Sequence, residues 1–136
     1  AAAGGTAPTI SGFLRGTLSV TGAQTILLAA ATDPLASTGN AEWSTGGTPS
    51  AGVSKLKYLR IRNTHASATL AVTQAAAAGL PIMVAAGDGV VIQPGGYWEW
   101  YAPAGSAALT TTVNDALVLT PSAGTVTGEI LIAIGP

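Results

Sequence analysis

The stretch that decides the fold is a run of alternating residues in the middle of the chain. It reads Lys55-Leu56-Lys57-Tyr58-Leu59-Arg60-Ile61-Arg62-Asn63. Charged and apolar side chains alternate along it, and a period of two residues is typical of a β-strand with one buried face. The alternation changes phase, because Leu56 and Tyr58 share one face whereas Leu59 and Ile61 share the other. We therefore predict a β-bulge near Tyr58 and Leu59.

Similar patterns recur on both sides of this strand, separated by turn residues about every 8 to 12 positions. The further predicted strands are 10–20, 24–30, 69–73, 82–85, 90–92, 97–101, 108–113, 116–120 and 125–134. We expect one hairpin between Lys55–Asn63 and Thr69–Thr73. A second is expected across Gly87-Asp88-Gly89, because Asp-Gly favours a tight turn. The alanines of 24–30 would also suit a helix turn, and roughly eight or nine short strands predict an all-β fold, a single antiparallel β-sandwich that is jelly-roll-like.

Two segments lack the pattern of a strand. Residues Ala1 to Thr9 are small or turn-forming and have little to bury that would offset the entropy of ordering them. We interpret them as a flexible N-terminal arm, with residues 10–136 as the sandwich domain. Residues Asp33 to Gly52 are rich in Pro, Ser, Thr, Gly and Asn, which predicts a long surface loop that carries Trp43.

The composition is unusually poor in charge. Only 8% of the 136 residues are charged, with five basic and six acidic side chains, against about 25% in an ordinary soluble domain. A folded monomer of this size exposes about 6,500 Å², or roughly 600 Å² for each charge. The simplest explanation of such a surface is that other protein covers part of it. We therefore expect the protein to form a homo-oligomer and to be a subunit of an assembly.

Several function classes are disfavoured. A net charge of −1 does not favour nucleic-acid binding. The most apolar stretch, Leu70 to Ile92, is too often interrupted to span a membrane. The lone histidine, His65, lies in a predicted turn, and the spacing of Ser67 and Asp88 does not demand a triad with it. The acidic residues are dispersed and cysteine is absent, so we expect no enzyme, metal or cofactor site.

The first candidate site is a basic stripe. Four of the five basic residues lie in one predicted strand, as Lys55, Lys57, Arg60 and Arg62. On either side of the expected bulge, the alternation directs these side chains away from the core. The stripe is therefore either a solvated sheet face or a docking edge for an acidic protein surface, where charges set orientation and on-rate.

The second candidate site is the aromatic strand Tyr97-Trp98-Glu99-Trp100-Tyr101. We expect Trp98 and Trp100 to pack in the sandwich, and Tyr97, Glu99 and Tyr101 to face a neighbouring subunit, because phenol hydroxyls tolerate a half-wet interface. The alternative is a platform on which sugar rings stack. Trp43, on its long loop, is a candidate for either role.

Part of the chain resembles a known family. The segments that carry the resemblance are Tyr58-Leu59-Arg60-Ile61-Arg62-Asn63-Thr64, Val91-Ile92-Gln93-Pro94-Gly95-Gly96 and Gly128-Glu129-Ile130-Leu131-Ile132. With an alternating strand between the first two, they are similar to small β-sandwich virion proteins of tailed bacteriophages, in particular capsid decoration, or cement, proteins. The resemblance covers roughly residues 55 to 134 and carries no site motif.

The resemblance implies a non-enzymatic protein that binds the outside of an assembled head and stiffens it against internal pressure. Its partners would be the major capsid protein and copies of itself, with a homotrimer on a capsid threefold axis favoured and a dimer as the second choice. The other function class left open is a carbohydrate- or receptor-binding module of a phage tail or fibre, or of a secreted protein.

Overall fold

A computed structural model describes residues 9–30, 34–35, 39–43, 47–50, 53–110 and 113–136, and for 39–43 it describes the backbone alone. These ranges contain nine strands and no helix, hence no helix that could span a membrane. The strands are β1 (Gly12–Thr21), β2 (Gln24–Leu27), β3 (Gly39–Trp43), β4 (Lys55–Asn63), β5 (Leu70–Gln74), β6 (Gly89–Ile92), β7 (Tyr97–Tyr101), β8 (Ala116–Pro121) and β9 (Thr125–Gly135). The prediction of an all-β fold is confirmed.

The strands form two antiparallel sheets with a nested order of pairing. A five-stranded sheet has the order β3-β1-β9-β4-β7, and a four-stranded sheet has the order β2-β8-β5-β6. Pairs form from the ends of the chain inward: β1 with β9, β2 with β8, β4 with β7, and β5 with β6. Successive pairs alternate between the sheets, as in a long hairpin that has been rolled up. This is a jelly roll with β3 added at one edge, so the predicted sandwich is confirmed.

A single apolar core lies between the sheets. Along β1, every second residue is buried, from Gly12 to Val20, and the residues between them are exposed. The same alternation continues along β9. Leu, Ile and Val supply most of the core, and burying each such side chain contributes about 1.5–3 kcal/mol relative to exposure. The outward residues of the five-stranded sheet are therefore free to form a functional surface.

The bulge in β4 lies slightly earlier than predicted. Leu56 faces Ile134 of β9, but Tyr58 faces Ala133, so Lys57 is the extra residue. Its side chain is only 4% exposed, and its Nζ donates a 3.0 Å hydrogen bond to the Pro103 carbonyl. The prediction that Lys57 points outward is therefore wrong, because the bulge and the segment after β7 enclose this side chain.

Both predicted hairpins are wrong. β4 and β5 are consecutive but lie in different sheets. Residues 82–85 form no strand, and β6 pairs instead with β5, whose Val72 faces Val90. The Gly87-Asp88-Gly89 segment still turns the chain into β6, with Gly87 at φ +87°. The turn residues therefore indicate where the chain reverses, but they do not select the strand with which it pairs.

Other local predictions have mixed outcomes. Part of the predicted 33–52 loop is β3, which pairs with β1 and ends at Trp43. The predicted strand 108–113 is wrong, since Ala108 forms only an isolated bridge with Lys55 and residues 109 and 110 are not in a strand. In the predicted arm, all residues but Thr9 lie outside the described ranges.

Candidate interface on the outer face of the five-stranded sheet

The side chains that point away from the core on β1, β9, β4 and β7 form three transverse rows, which we call the outer face. Strand register sets the rows. They are Phe13, Ala133, Tyr58 and Tyr101; Arg15, Leu131, Arg60 and Glu99; and Thr17, Glu129, Arg62 and Tyr97. Aromatic side chains dominate the first row, and charged side chains occur in the other two.

Three arginines converge on one depression of this face. Arg15 of β1 and Arg60 and Arg62 of β4 line it together with Glu129 and Leu131 of β9, and its volume is about 650 Å³. Because three cationic groups surround a single carboxylate, the depression favours an anionic group of a partner.

Arg60 is held over an aromatic ring. Its guanidinium carbon lies 4.5 Å from the centroid of the Tyr97 ring, within the range of a cation–π interaction. Its Nε is buried and has no hydrogen-bond partner among the described residues. The Tyr97 ring therefore orients the guanidinium on the outer face, and a carboxylate is the anionic group that a guanidinium pairs with best.

Two charged members of this cluster, Arg15 and Glu129, were not among the sequence candidates. The alternation of β1 indicates that Arg15 points outward, but nothing local indicates that it joins Arg60. Pairing of β9 with both strands places Leu131 opposite Arg15 on one side and opposite Arg60 on the other. Glu129 is brought beside Arg62 in the same way. Only the sheet order could have revealed this cluster.

The aromatic strand is oriented as predicted. Trp98 and Trp100 are partly buried and pack against the core, whereas Tyr97 and Tyr101 are 58% and 56% exposed. Glu99 is also exposed on the tyrosine side. Large aromatic area on an open face is typical of binding surfaces, since Tyr and Arg are enriched there.

Glu99 is tied to the neighbouring strand. The Tyr58 hydroxyl donates a short hydrogen bond to Glu99 Oε2. This bond, with burial and the negative charge of Glu99 as smaller causes, raises the pKa of Tyr58 above its ordinary value of 10.0. Arg60 lies directly opposite Glu99 in the register of β4 and β7. The carboxylate is thus balanced by a donor and a cation on β4.

The remaining candidates lie away from the depression. Lys55 is partly exposed and faces Gly135 near the far end of β9. Lys57 is buried, as described above. The basic stripe is therefore divided, and only Arg60 and Arg62 belong to the cluster. Trp43 faces Leu14 in the register of β3 and β1, and its side chain lies outside the described part of the structure.

A buried asparagine positions the start of β7. Asn63 is fully buried, and its Nδ2 donates to the carbonyls of Ala68 at 2.8 Å and Ile92 at 3.1 Å. Its backbone N–H donates to the Gly96 carbonyl, and its own carbonyl accepts from the Gly95 N–H, both at 2.9 Å. One residue therefore connects the end of β4, the end of β6 and the turn that leads into the aromatic strand.

The side chain of His65 stabilises the turn in which it lies. Its Nδ1 accepts hydrogen bonds from the backbone N–H groups of Ser67 at 3.0 Å and Ala68 at 2.8 Å. In a catalytic triad that nitrogen would instead donate to a carboxylate. Among the described residues, no three His, Asp or Glu side chains are grouped closely enough to hold a metal ion.

Comparison with known proteins yields little. No protein-family model matches the chain, and no curated protein matches it. Among solved structures, a chain of the cyanophage Pam1 capsid asymmetric unit is similar, with 14% sequence identity and a TM-score of 0.34. The match covers 98% of this chain and 91% of that chain. A TM-score of this size does not establish a shared fold.

Proposed function

We propose that this protein is a non-enzymatic structural subunit of a phage virion, which binds the outer capsid surface as a decoration, or cement, protein and stabilises the head. The observation that carries the proposal is the outer face, where exposed tyrosines and a cluster of three arginines occur together. Elsewhere the chain is poor in charge. Concentration of these residue types on one sheet is typical of a protein-binding surface.

The two parts of the outer face have different roles in docking. The arginine depression receives acidic side chains of the major capsid protein, and these charges set orientation and on-rate. The tyrosines contribute contact area at a small cost in side-chain entropy. The resemblance of the three quoted segments to phage decoration proteins supports the same role. Jelly rolls occur in both viral capsid and lectin domains, so the fold by itself does not choose between them.

The proposal is tested with heads that lack this protein. The purified protein is added back, and the bound copies per head and the temperature of DNA release are measured. We expect binding to saturate when copies are spread over the whole capsid. We also expect the bound protein to raise the temperature at which the heads release DNA. Arg62→Ala should weaken binding about fivefold to tenfold, equivalent to about 1–1.4 kcal/mol, and should reduce its salt dependence.

A matched control separates this contact from a general effect of charge. Val84 is 97% exposed and lies outside the five-stranded sheet. Val84→Glu changes the net charge by the same amount as Arg62→Ala, and it should bind heads like the wild type. Equal weakening by both variants, or no binding of wild-type protein to heads, would contradict the proposal.

The second candidate function is glycan or receptor binding on a phage tail or fibre, or on a secreted protein. The exposed rings of Tyr97 and Tyr101 favour it, because aromatic faces stack on sugars. A glycan array with wild-type protein and Tyr101→Ala tests this directly. Tyrosine-dependent sugar binding, with a few copies at the tail, would replace the cement proposal.

A further inference from the structure

β7 is the last strand of the five-stranded sheet, and the backbone groups of three of its five residues face away from β4. The Asn63–Gly96 and Ala102–Lys57 hydrogen bonds fix the phase of the β4–β7 ladder. With the register of these strands, antiparallel alternation then directs the N–H and C=O groups of Trp98 and Trp100 to β4. Those of Tyr97, Glu99 and Tyr101 point to the open edge, where no hydrogen-bond partner occurs in the described part of the chain.

The side-chain sequence of this edge is symmetric. Tyr97-Trp98-Glu99-Trp100-Tyr101 reads the same in both directions, and it is flanked by the small residues Gly96 and Ala102. In a two-fold interface each residue i that faces residue j is matched by j facing i, and any strand paired antiparallel with its own copy meets this condition. The palindrome adds that facing residues are identical in type, so that Tyr packs against Tyr and Trp against Trp.

We propose that β7 pairs with β7 of a second copy about a two-fold axis through Glu99, which joins two five-stranded sheets into one continuous sheet. Tyr97 then faces the partner's Tyr101, and Trp98 faces the partner's Trp100. The N–H and C=O groups of the three outward residues then form hydrogen bonds with the same groups of the second copy across the axis. This pairing does not depend on a role in a virion, and it favours a dimer over the homotrimer expected from sequence.

The one unfavourable contact in this arrangement is between the two copies of Glu99. Like charges directly opposite one another destabilise a sheet. Here each carboxylate already accepts a hydrogen bond from Tyr58 and lies opposite Arg60 on its own β4. These neighbours offset the repulsion, so that the backbone and tyrosine contacts prevail.

The edge carries little of the usual protection against pairing. Natural edge strands are blunted by charged side chains, above all lysine, by proline, by bulges or by short length. β7 has no lysine or proline, Glu99 is its one charged residue, and Pro94 and Pro103 lie outside it. The prolines limit pairing to the palindrome, because Pro103 has no N–H to extend the ladder. The outward backbone groups of this five-residue aromatic edge are open to a further strand, and a second copy supplies one of matching length.

Single cysteines test the register, because the natural chain has none. In the proposed dimer the two Cα atoms of residue 99 are about 5.5 Å apart, within disulfide range. The two copies of residue 102, which lies just beyond the paired tyrosines, are about 20 Å apart along the strands. Glu99→Cys should therefore cross-link under mild oxidation, whereas Ala102→Cys and the exposed control Val84→Cys should not. The variants are compared on non-reducing gels at micromolar concentration.

The expected result is a wild-type dimer in sedimentation velocity, with Glu99→Cys cross-linking about a hundredfold faster than the two controls. Pairing raises the effective thiol concentration from the roughly 10 μM of the free protein to about millimolar. A wild-type monomer or trimer, or equal rates for the three variants, would overturn the inference. Failure to bind capsids would leave this result unchanged, so the two proposals fail separately.

Discussion

Asn63 is the residue whose replacement is expected to have the clearest structural effect. Its side chain makes three hydrogen bonds: two buried ones from Nδ2 to the carbonyls of Ala68 and Ile92, and a partly buried one that Oδ1 accepts from the His65 N–H at 2.9 Å. Asn63→Ala removes all three, and two carbonyls and one N–H lose this side chain as a partner. We expect this single change to destabilise the sandwich and to loosen the start of β7.

The magnitude follows from those three bonds. Each contributes about 1 kcal/mol net, and groups left buried without a partner add to the loss, so the expected cost is about 3–5 kcal/mol. The whole domain should have a free energy of unfolding of about 7–20 kcal/mol, at roughly 0.05–0.15 kcal/mol per residue. The variant should therefore fold, with much of its stability lost.

Urea unfolding followed by tryptophan fluorescence measures this loss. With a slope near 2 kcal/mol/M, the midpoint should fall by about 1.5–2.5 M. Thr64→Ala is the control, because Thr64 Oγ1 lies 3.1 Å from Thr127 Oγ1 in an exposed pair, and its loss should matter little. Asn63→Asp should also be strongly destabilised at neutral pH, since a carboxylate cannot donate to the two carbonyls. A midpoint shift below about 0.5 M for Asn63→Ala would refute the assignment of this residue as a structural connector.

Two further predictions concern the aromatic strand and its neighbour. Trp100→Ala should lower the melting temperature by about 6–12 °C, because a half-buried site loses about 2–3 kcal/mol. Tyr101→Ala should change the melting temperature by less than about 2 °C but should impair assembly. If calorimetry showed the reverse order, the orientation of the strand would be rejected. The pKa of Tyr58 is raised mainly by its hydrogen bond to Glu99. The stability that this bond contributes is therefore fully present below about pH 10 and is lost as the pH rises through the folded-state pKa of Tyr58. In Glu99→Ala that pKa should move back toward its ordinary value, and NMR titration of ¹³C-labelled tyrosine would show no such movement if the hydrogen bond were absent in solution.

Sequence periodicity was sufficient for the features that depend on one strand alone. The parity of β7 correctly placed Trp98 and Trp100 inward and Tyr97 and Tyr101 outward. The change of phase in β4 predicted a bulge to within a residue or two. These predictions succeed because successive side chains of a strand point to opposite faces, and burial then selects one face.

Pairing between strands could not be predicted in the same way. The 33–52 segment has the composition of a loop, yet part of it becomes β3 because β1 offers a free edge. The expected hairpins failed because, in a rolled-up chain, β4 turns away from β5 and pairs with β7 and β9. Local turn residues do not specify which of several similar apolar strands becomes the partner, since that choice depends on how both sheets close the core.

The candidate site shows the same division. The sequence by itself determined a low-charge, all-β chain with basic residues on one strand and outward tyrosines on another. Only the tertiary structure decided that Arg15 joins Arg60 and Arg62, and that Lys57 is buried. The physical reason is that charge and burial at one position depend on neighbours brought together by long-range pairing, whereas period and composition report only what lies along the chain.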